Sequence, residues 1–493
     1  MSLLLAFAAA LFVAAGFASL AETILCRRST DVFGWNESFV IGASGGAAVL
    51  FPLSLVAPTK ALDLVALAVS LSAVAIPWRI ARSFRRPPGP GASPPLRLPL
   101  ALTLSIVPGV LLFTVLCLRT AFAWDAFQIW GTKALLLFRD GGLRPELWPG
   151  SLYEGRSGRT VNYPALLPLF EALAARVRGR FDFMDLKPIF PIFFLSLLLS
   201  VVRGVRAAAS SRALCLSAIL VMGFVPVATS RPVLGGNADL PLAACAAALA
   251  AAWLAPNPRA GRWNSATPWL LGSLLAAKSE GLILFGAALA AGAIVSAGRL
   301  SRAKVRSHAA GAAVALALLA GRIGYLRWTA IQDRTIDPPS DQSLARALVR
   351  IPEVARLCGS ELMRFREWGF LWPAFLLLAL AAVARAPGRG RVVALAALLG
   401  TAAYSAIFLQ TSWPVRLHVN QAYSRLLFQI LPVAVIAMVC GYESLRADRP
   451  GETEEGAPAP PDKPGLAGAE RQSASDPAPF SAAPGEPRAP IAR

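Results

Sequence analysis

Histidine is almost absent. Only His308 and His418 occur among 493 residues, so a histidine-built metal centre is ruled out. Six cysteines are scattered at Cys26, Cys117, Cys215, Cys245, Cys358 and Cys440, and no two form a Cys-x-x-Cys pair. Neither a zinc site nor a disulfide framework is indicated. Acidic residues are also scarce: 28 stand against 48 Lys and Arg, a net charge of +20. In a soluble chain that excess would point to nucleic acid. Here only 15% of residues are charged and 56% are apolar. The arginines fall in short segments between apolar runs, which is the positive-inside pattern of a membrane protein. No nucleic-acid partner is expected. No internal repeat of the transporter kind is present.

Apolar runs near the ~20 residues that cross a bilayer are abundant. The fold class expected is all-α, a polytopic membrane helical bundle. Candidate spans lie near 1–20, 39–58, 61–79, 100–119, 186–202, 213–230, 238–255, 266–277, 281–298, 308–326, 368–384, 391–410 and 424–442. The first lacks a basic flank and reads as a retained span rather than a cleaved signal. Basic clusters sit at Arg79–Arg86, Arg203–Arg212, Arg299–Arg306 and Arg385–Arg391. Placing these inside puts 120–185, 231–237, 278–280, 327–367 and 411–423 outside. The apolar run Tyr163–Val177 is then a second interfacial helix, and the chain crosses about thirteen times with the N-terminus outside. Three regions follow: 1–99, N-terminal helices with a basic Pro-rich cytoplasmic linker; 100–442, the main transmembrane module; and 443–493, a tail of Pro, Ala, Gly and Glu expected to be disordered and cytoplasmic.

Polar residues collect in a few places, all on the outer side of this scheme. Trp124–Gly142 reads as an amphipathic helix. Phe127, Trp130, Ala134 and Phe138 form its apolar stripe, and Gly141–Gly142 is its stop. With two tryptophans beside a span, it should lie in the interface. Its polar face carries Asp125, Gln128 and Thr132, with Lys133 nearby; Asp125 is a candidate general base or a solvated residue at a helix start. Arg159–Phe170 holds Tyr163 ahead of a Pro-initiated helix. Gly235–Ala243 places Asp239 at the mouth of a span, either as an N-cap or as a group that binds an acceptor hydroxyl. Ala276–Phe285 interrupts apolar sequence with Lys278 and Glu280, a costly placement that marks a functional candidate. Thr411–Pro432 adds Arg416, His418 and Arg425, which are either snorkelling cations or a phosphate site.

Taken in order, WDAFQIWGTKA, NYPALLPLFEAL, NADLPLA, AAKSEGL and HVNQAYSRLLFQILP resemble the GT-C superfamily of membrane glycosyltransferases over about 100–442. The branch most similar is the bacterial RgtA/B/C/D-like one, related to dolichyl-phosphate-mannose protein mannosyltransferases and the lipid A aminoarabinose transferase. The resemblance implies a GT-C-like bundle with interfacial helices in the first large external loop. It implies transfer of a sugar from a polyprenyl-phosphate donor to an envelope lipid, glycan or protein. The active site would face the periplasm or exterior from the cytoplasmic (inner) membrane. Asp125 matches the family's catalytic carboxylate and Lys278 its Lys-x-x-Gly turn. The family's Asp-Glu pair is Asp125–Ala126 here, so a second carboxylate would come from Asp239 or Glu280. Lys278, Arg425, His418 and Arg159 are candidates to hold the donor phosphate. Asp239, Glu280, Gln128 and Tyr163 are candidates for the acceptor side. Phosphate leaves as a stable anion, so one base suffices and the anomeric centre inverts; no cofactor or metal is expected.

Two other classes fit a polytopic chain. A flippase of lipid-linked saccharides would place its polar residues near mid-membrane and show paired repeats. A non-catalytic assembly partner would tolerate loss of Asp125. A glycan polymerase or ligase stays within the enzyme class. The topology is tested by single cysteines in a Cys-free chain. Those at Ser157 and Asp341 should react with an impermeant thiol reagent in intact cells, and those at Ser83 and Ser475 should not. The opposite labelling would overturn the sidedness.

Overall fold

The computed structural model describes residues 2–24, 32–84, 100–143, 163–209, 211–225, 230–255, 266–296, 341–411 and 413–447, with scattered positions between 313 and 324. Arg159, the 85–99 linker and the tail from 448 onward lie outside the described residues. The described part is all-α. In chain order it runs α1 (Ser2–Ile24), α2 (Val32–Val56), α3 (Ala61–Phe84), α4 (Leu100–Arg119), a π turn (Ala126–Gly131) and α5 (Thr132–Asp140). Then come α6 (Leu166–Arg178), α7 (Ile189–Ala208), α8 (Arg212–Phe224), α9 (Asp239–Leu254), α10 (Thr267–Ala277) and α11 (Gly281–Ser296). The last are α12 (Asp341–Leu362), α13 (Leu371–Arg385), α14 (Gly388–Ala406) and α15 (Val415–Ala447).

Among the described residues, five helical stretches are long and apolar enough to cross a membrane: Leu3–Ile24, Trp35–Val56, Met184–Ala208, Gly388–Leu409 and Val415–Ala447. The chain is therefore a multi-spanning membrane protein. This falls short of the thirteen crossings expected from the sequence: the expected span 308–326 lies mostly outside the described residues, and several other apolar helices are short. α9, α10, α11 and α13 are apolar but have only 16, 11, 16 and 15 residues. At ~1.5 Å per residue such helices reach ~16–24 Å, less than a ~30 Å hydrocarbon core.

The centre of the bundle is α9. All of its residues are buried, and ten of its sixteen are Ala, Cys or Pro. Small side chains let neighbouring backbones close in where no hydrophobic force drives helices together. α7, α10 and α15 pack on it. α13 and α14 pack on α15, and α11 packs on α14. On the other side, α1, α2 and α3 pack together and cover α6. α6 is a 13-residue helix buried from Leu166 to Ala175, Glu171 included. Between α2 and α7 lies a polar seam. Arg203 is ion-paired with Glu37, which is 1% exposed. Ser196 donates to the Asn36 amide oxygen, and Asn36 donates to Ser200.

α12 belongs to the segment read from sequence only as polar. Leu344, Leu348, Val349 and Ile351 remain exposed on it, so it is an amphipathic helix lying on the bundle rather than a span.

α1 and α2 touch through Gly42. A Cβ there would stand 1.9 Å from the Phe17 carbonyl oxygen, a backbone atom that cannot swing aside. In an exposed helix Gly→Ala gains ~1 kcal/mol, whereas overpacking costs ~1–3 kcal/mol. Gly42→Ala should therefore lower the thermal unfolding midpoint of the purified protein. A raised midpoint would mean the two helices can part without loss.

Candidate active site

The chain leaves α4 at Arg119 and reaches Asp125 through a short segment that is pinned early. The Ala123 N–H donates to the Gly235 carbonyl at 2.9 Å, joining this segment to the loop ahead of α9. Asp125 then precedes the π turn with αR backbone, and its side chain makes no capping bond. π turns are rare and frequent at functional sites. This one re-phases the helix. The expected stripe is Phe127, Trp130, Ala134 and Phe138; the buried positions are Ala126, Trp130, Gly131, Lys133, Ala134, Leu136 and Leu137. Phe127 is 42% exposed, with its ring 4.6 Å from that of Phe183. Lys133, expected near the polar face, is buried and donates to the Tyr163 carbonyl. Trp130 is buried against the Tyr163 ring, while Trp124 stays exposed.

Three segments far apart in sequence meet at Asp239, the first residue of α9. Its carboxylate is completely buried. Lys278 donates to Oδ1 at 2.8 Å, and Gln429 donates to the same oxygen at 2.5 Å. Arg425 Nε donates to Oδ2 at 3.0 Å. Arg425 Nη1 continues to Asp125 Oδ2 at 2.8 Å. Lys278 Nζ also lies 2.9 Å from Glu280 Oε1. The other oxygen of Glu280 is buried and has no hydrogen-bond partner. Tyr404 donates to Gln429 Oε1 at 2.7 Å, closing the network from α14. Three carboxylates thus face two cations.

Exposure sorts these groups. The side chains of Asp239 and Lys278 are 0% and 6% exposed, those of Arg425 and Asp125 21% and 33%. Burial alone would lower the Lys278 ammonium's pKa; Asp239 and Glu280 beside it outweigh that and raise it, so it stays charged. Lys278 can sit there because α10 and α11 are joined by a very tight turn. A Cβ on Gly281 would meet the Leu274 carbonyl oxygen at 1.8 Å, so only glycine closes it.

Asp125, Asp239, Lys278, Glu280 and Arg425, all singled out from the sequence, are brought into one network. His418 is not bonded into it: its Nδ1 lies 2.6 Å from Thr411 Oγ1, and its ring packs against Phe408 and Trp413. Arg416 is exposed. Gln128 is half-buried and joins none of these bonds, and Tyr163 serves Trp130 and Lys133 instead. Gln429 and Tyr404 were missed; the signal was a lone amide and a lone phenol inside apolar spans. Also missed was an acidic pair beside Arg425. Ser424 donates to Glu367 Oε2 at 2.9 Å and to Glu361 Oε2 at 3.4 Å, and Arg364 bridges both glutamates. Among the described residues no group of three or more His, Cys, Asp or Glu could hold a metal ion.

No family model, curated protein or solved structure matches this chain.

The network makes a contrast between its two aspartates. Asp239→Asn leaves Arg425 and Lys278 buried beside a neutral group, and losing one partner of a buried ion pair costs ~3–5 kcal/mol. Asp125→Asn removes a partly exposed partner, and exposed pairs contribute ~0–1 kcal/mol. Thermal unfolding should show a large drop for Asp239→Asn and little change for Asp125→Asn. Equal drops would contradict the ranking by burial.

Proposed function

We propose that this chain is an integral membrane glycosyltransferase of GT-C type. It would move a sugar from a polyprenyl-phosphate donor to an envelope acceptor on the outer face of the cytoplasmic membrane, with inversion. The observation that carries this reading is the convergence of Asp125, Asp239, Lys278, Glu280 and Arg425 at one end of a membrane bundle, with Asp125 the most exposed carboxylate among them. A flippase pathway at mid-membrane would not need its charges gathered at the bundle end.

In this mechanism Asp125 takes the proton of an acceptor hydroxyl as its oxygen attacks the anomeric carbon. The bond from that carbon to the phosphate oxygen breaks, and polyprenyl phosphate departs with the electron pair. Arg425 receives the phosphate, since it is the cation with exposed surface; its planar fork suits phosphate oxygens. Lys278 is enclosed by Asp239 and Glu280, so it positions Asp239 rather than touching substrate. Asp239 in turn holds Arg425 by Nε and leaves the Nη groups facing Asp125. Donor phosphate competes for Nη1 and frees Asp125 to act as base.

Purified protein in lipid discs, incubated with a panel of polyprenyl-phosphate sugars and envelope lipids, should form a glycosylated product detectable by mass spectrometry. Asp125→Asn should cut turnover by about two orders of magnitude or more, the scale of a general base. It should not weaken donor binding and should tighten it, because Arg425 keeps its anchor on Asp239 and the phosphate no longer displaces a carboxylate from Nη1. Near-wild-type turnover in Asp125→Asn would remove Asp125 from this role and move it to Glu280.

A further inference from the structure

A second site lies where α1 meets the end of α6. A cavity of about 660 Å³ is lined by Leu5, Ala8, Ala9 and Phe12 on α1 and by Val177, Arg178 and Arg180. The first four are spaced i, i+3, i+4 and i+7, so they share one helical face. Two alanines between a leucine and a phenylalanine make a notch in that face, and this is why the cavity exists. Its volume falls within the ~300–1,000 Å³ typical of small-molecule sites.

The wall is apolar and the rim is cationic. α6 ends at Gly179 in the left-handed conformation (φ 73°), which turns the chain so that Arg178 and Arg180 flank the same opening. Both arginines pair with one carboxylate, Asp185, with Arg180 Nη2 3.1 Å from Oδ2. Arg178 is held deeply, its side chain 7% exposed, while that of Arg180 is 56% exposed. The nearby Asp182 carboxylate is turned to the backbone, accepting from the Met184 N–H at 2.9 Å. Two guanidiniums thus stand at the mouth of an apolar notch on a membrane helix, that of Arg180 exposed. Basic pockets between transmembrane helices suit anionic lipid head groups, and the guanidinium geometry suits phosphate.

We propose that this cavity binds an anionic phospholipid, its phosphodiester on Arg178 and Arg180 and an acyl chain along Leu5, Ala8 and Phe12. The site uses none of the residues assigned to sugar transfer, so it stands or falls apart from that reading.

The test is native mass spectrometry of the full-length purified protein, titrated with phosphatidylglycerol or phosphatidylcholine. Phosphatidylglycerol should bind roughly tenfold more tightly or better. Ala8→Leu fills the notch without touching a charge and should abolish that preference. Arg180→Gln, which leaves Arg178 on Asp185, should weaken it and gives the same reading if Ala8→Leu fails to fold. Millimolar inorganic phosphate should not raise the thermal midpoint, because it lacks the acyl contact; a rise with phosphate alone would overturn the lipid assignment. Equal retention of both lipids, or a preference untouched by both variants, would mean annular lipid only and would also overturn it.

Discussion

The bundle end depends on one buried carboxylate. Asp239 is fully enclosed, and an enclosed charge without partners costs several kcal/mol. Its partners come from elsewhere: Lys278 from the α10–α11 turn, and Arg425 and Gln429 from α15. α9 can keep Asp239 ionised only if both of those segments close on it. The alanine-rich surface of α9 allows that approach, and the glycine turn at Gly281 lets Lys278 reach inward. Arg425 then has a second nitrogen to spare, and it fixes Asp125 from 300 residues away in sequence. The position of the most exposed carboxylate is thus inherited from the most buried one.

The N-terminal helices brace the same region from the opposite side. The Leu62 N–H donates to the Gly141 carbonyl at 2.6 Å, and the Leu143 N–H donates to Ser54 Oγ at 3.1 Å. The α2–α3 connection therefore grips the far end of the helix that begins at Asp125. α2 is itself held to α7 by the Glu37–Arg203 pair and the Asn36 bonds to Ser196 and Ser200. Polar bonds are effective inside a membrane bundle because the alternative is an unsatisfied group in hydrocarbon. So α1–α3 act on the helix that carries Asp125 without approaching its carboxylate.

Helices were legible in the sequence because apolar runs are bounded by arginine clusters and glycine or proline, signals that need no tertiary context. α9, α10 and α11 fall within two residues of their expected limits. Convergence was legible more indirectly: placing arginines on one side put Asp125, Asp239, Lys278, Glu280 and Arg425 on the other, and these five share one network. What the sequence hid was local and geometric. A π turn has no composition of its own, so the sequence does not show that Phe127 turns outward and Lys133 inward, although Trp130 and Ala134 of the expected stripe are buried. Gln429 and Tyr404 lie within apolar stretches where one polar residue hardly alters the average. The arginines of α12 mask the spacing of Leu344, Leu348 and Ile351, so the segment does not read as a helix.

The charge count of the network bears on how a site of this kind would work. Asp125, Asp239 and Glu280 outnumber Lys278 and Arg425 by one negative charge, so under the proposed function an arriving phosphate would meet a closed and slightly acidic cluster. It can be accommodated only by exchange, and the weakest bond to exchange is the most exposed one. Arg425–Asp125 is that bond: both side chains retain exposed surface, whereas the Asp239 end is sealed. Exchange there conserves the buried pairing and costs little desolvation, because phosphate replaces carboxylate on the same nitrogen. It also turns Asp125 from an ion-pair partner into a carboxylate with both oxygens open. Donor would then have to bind before the base is competent, and acceptor would not be activated at an empty site. That coupling needs no moving domain, only one guanidinium shared between a fixed anion and an exchangeable one.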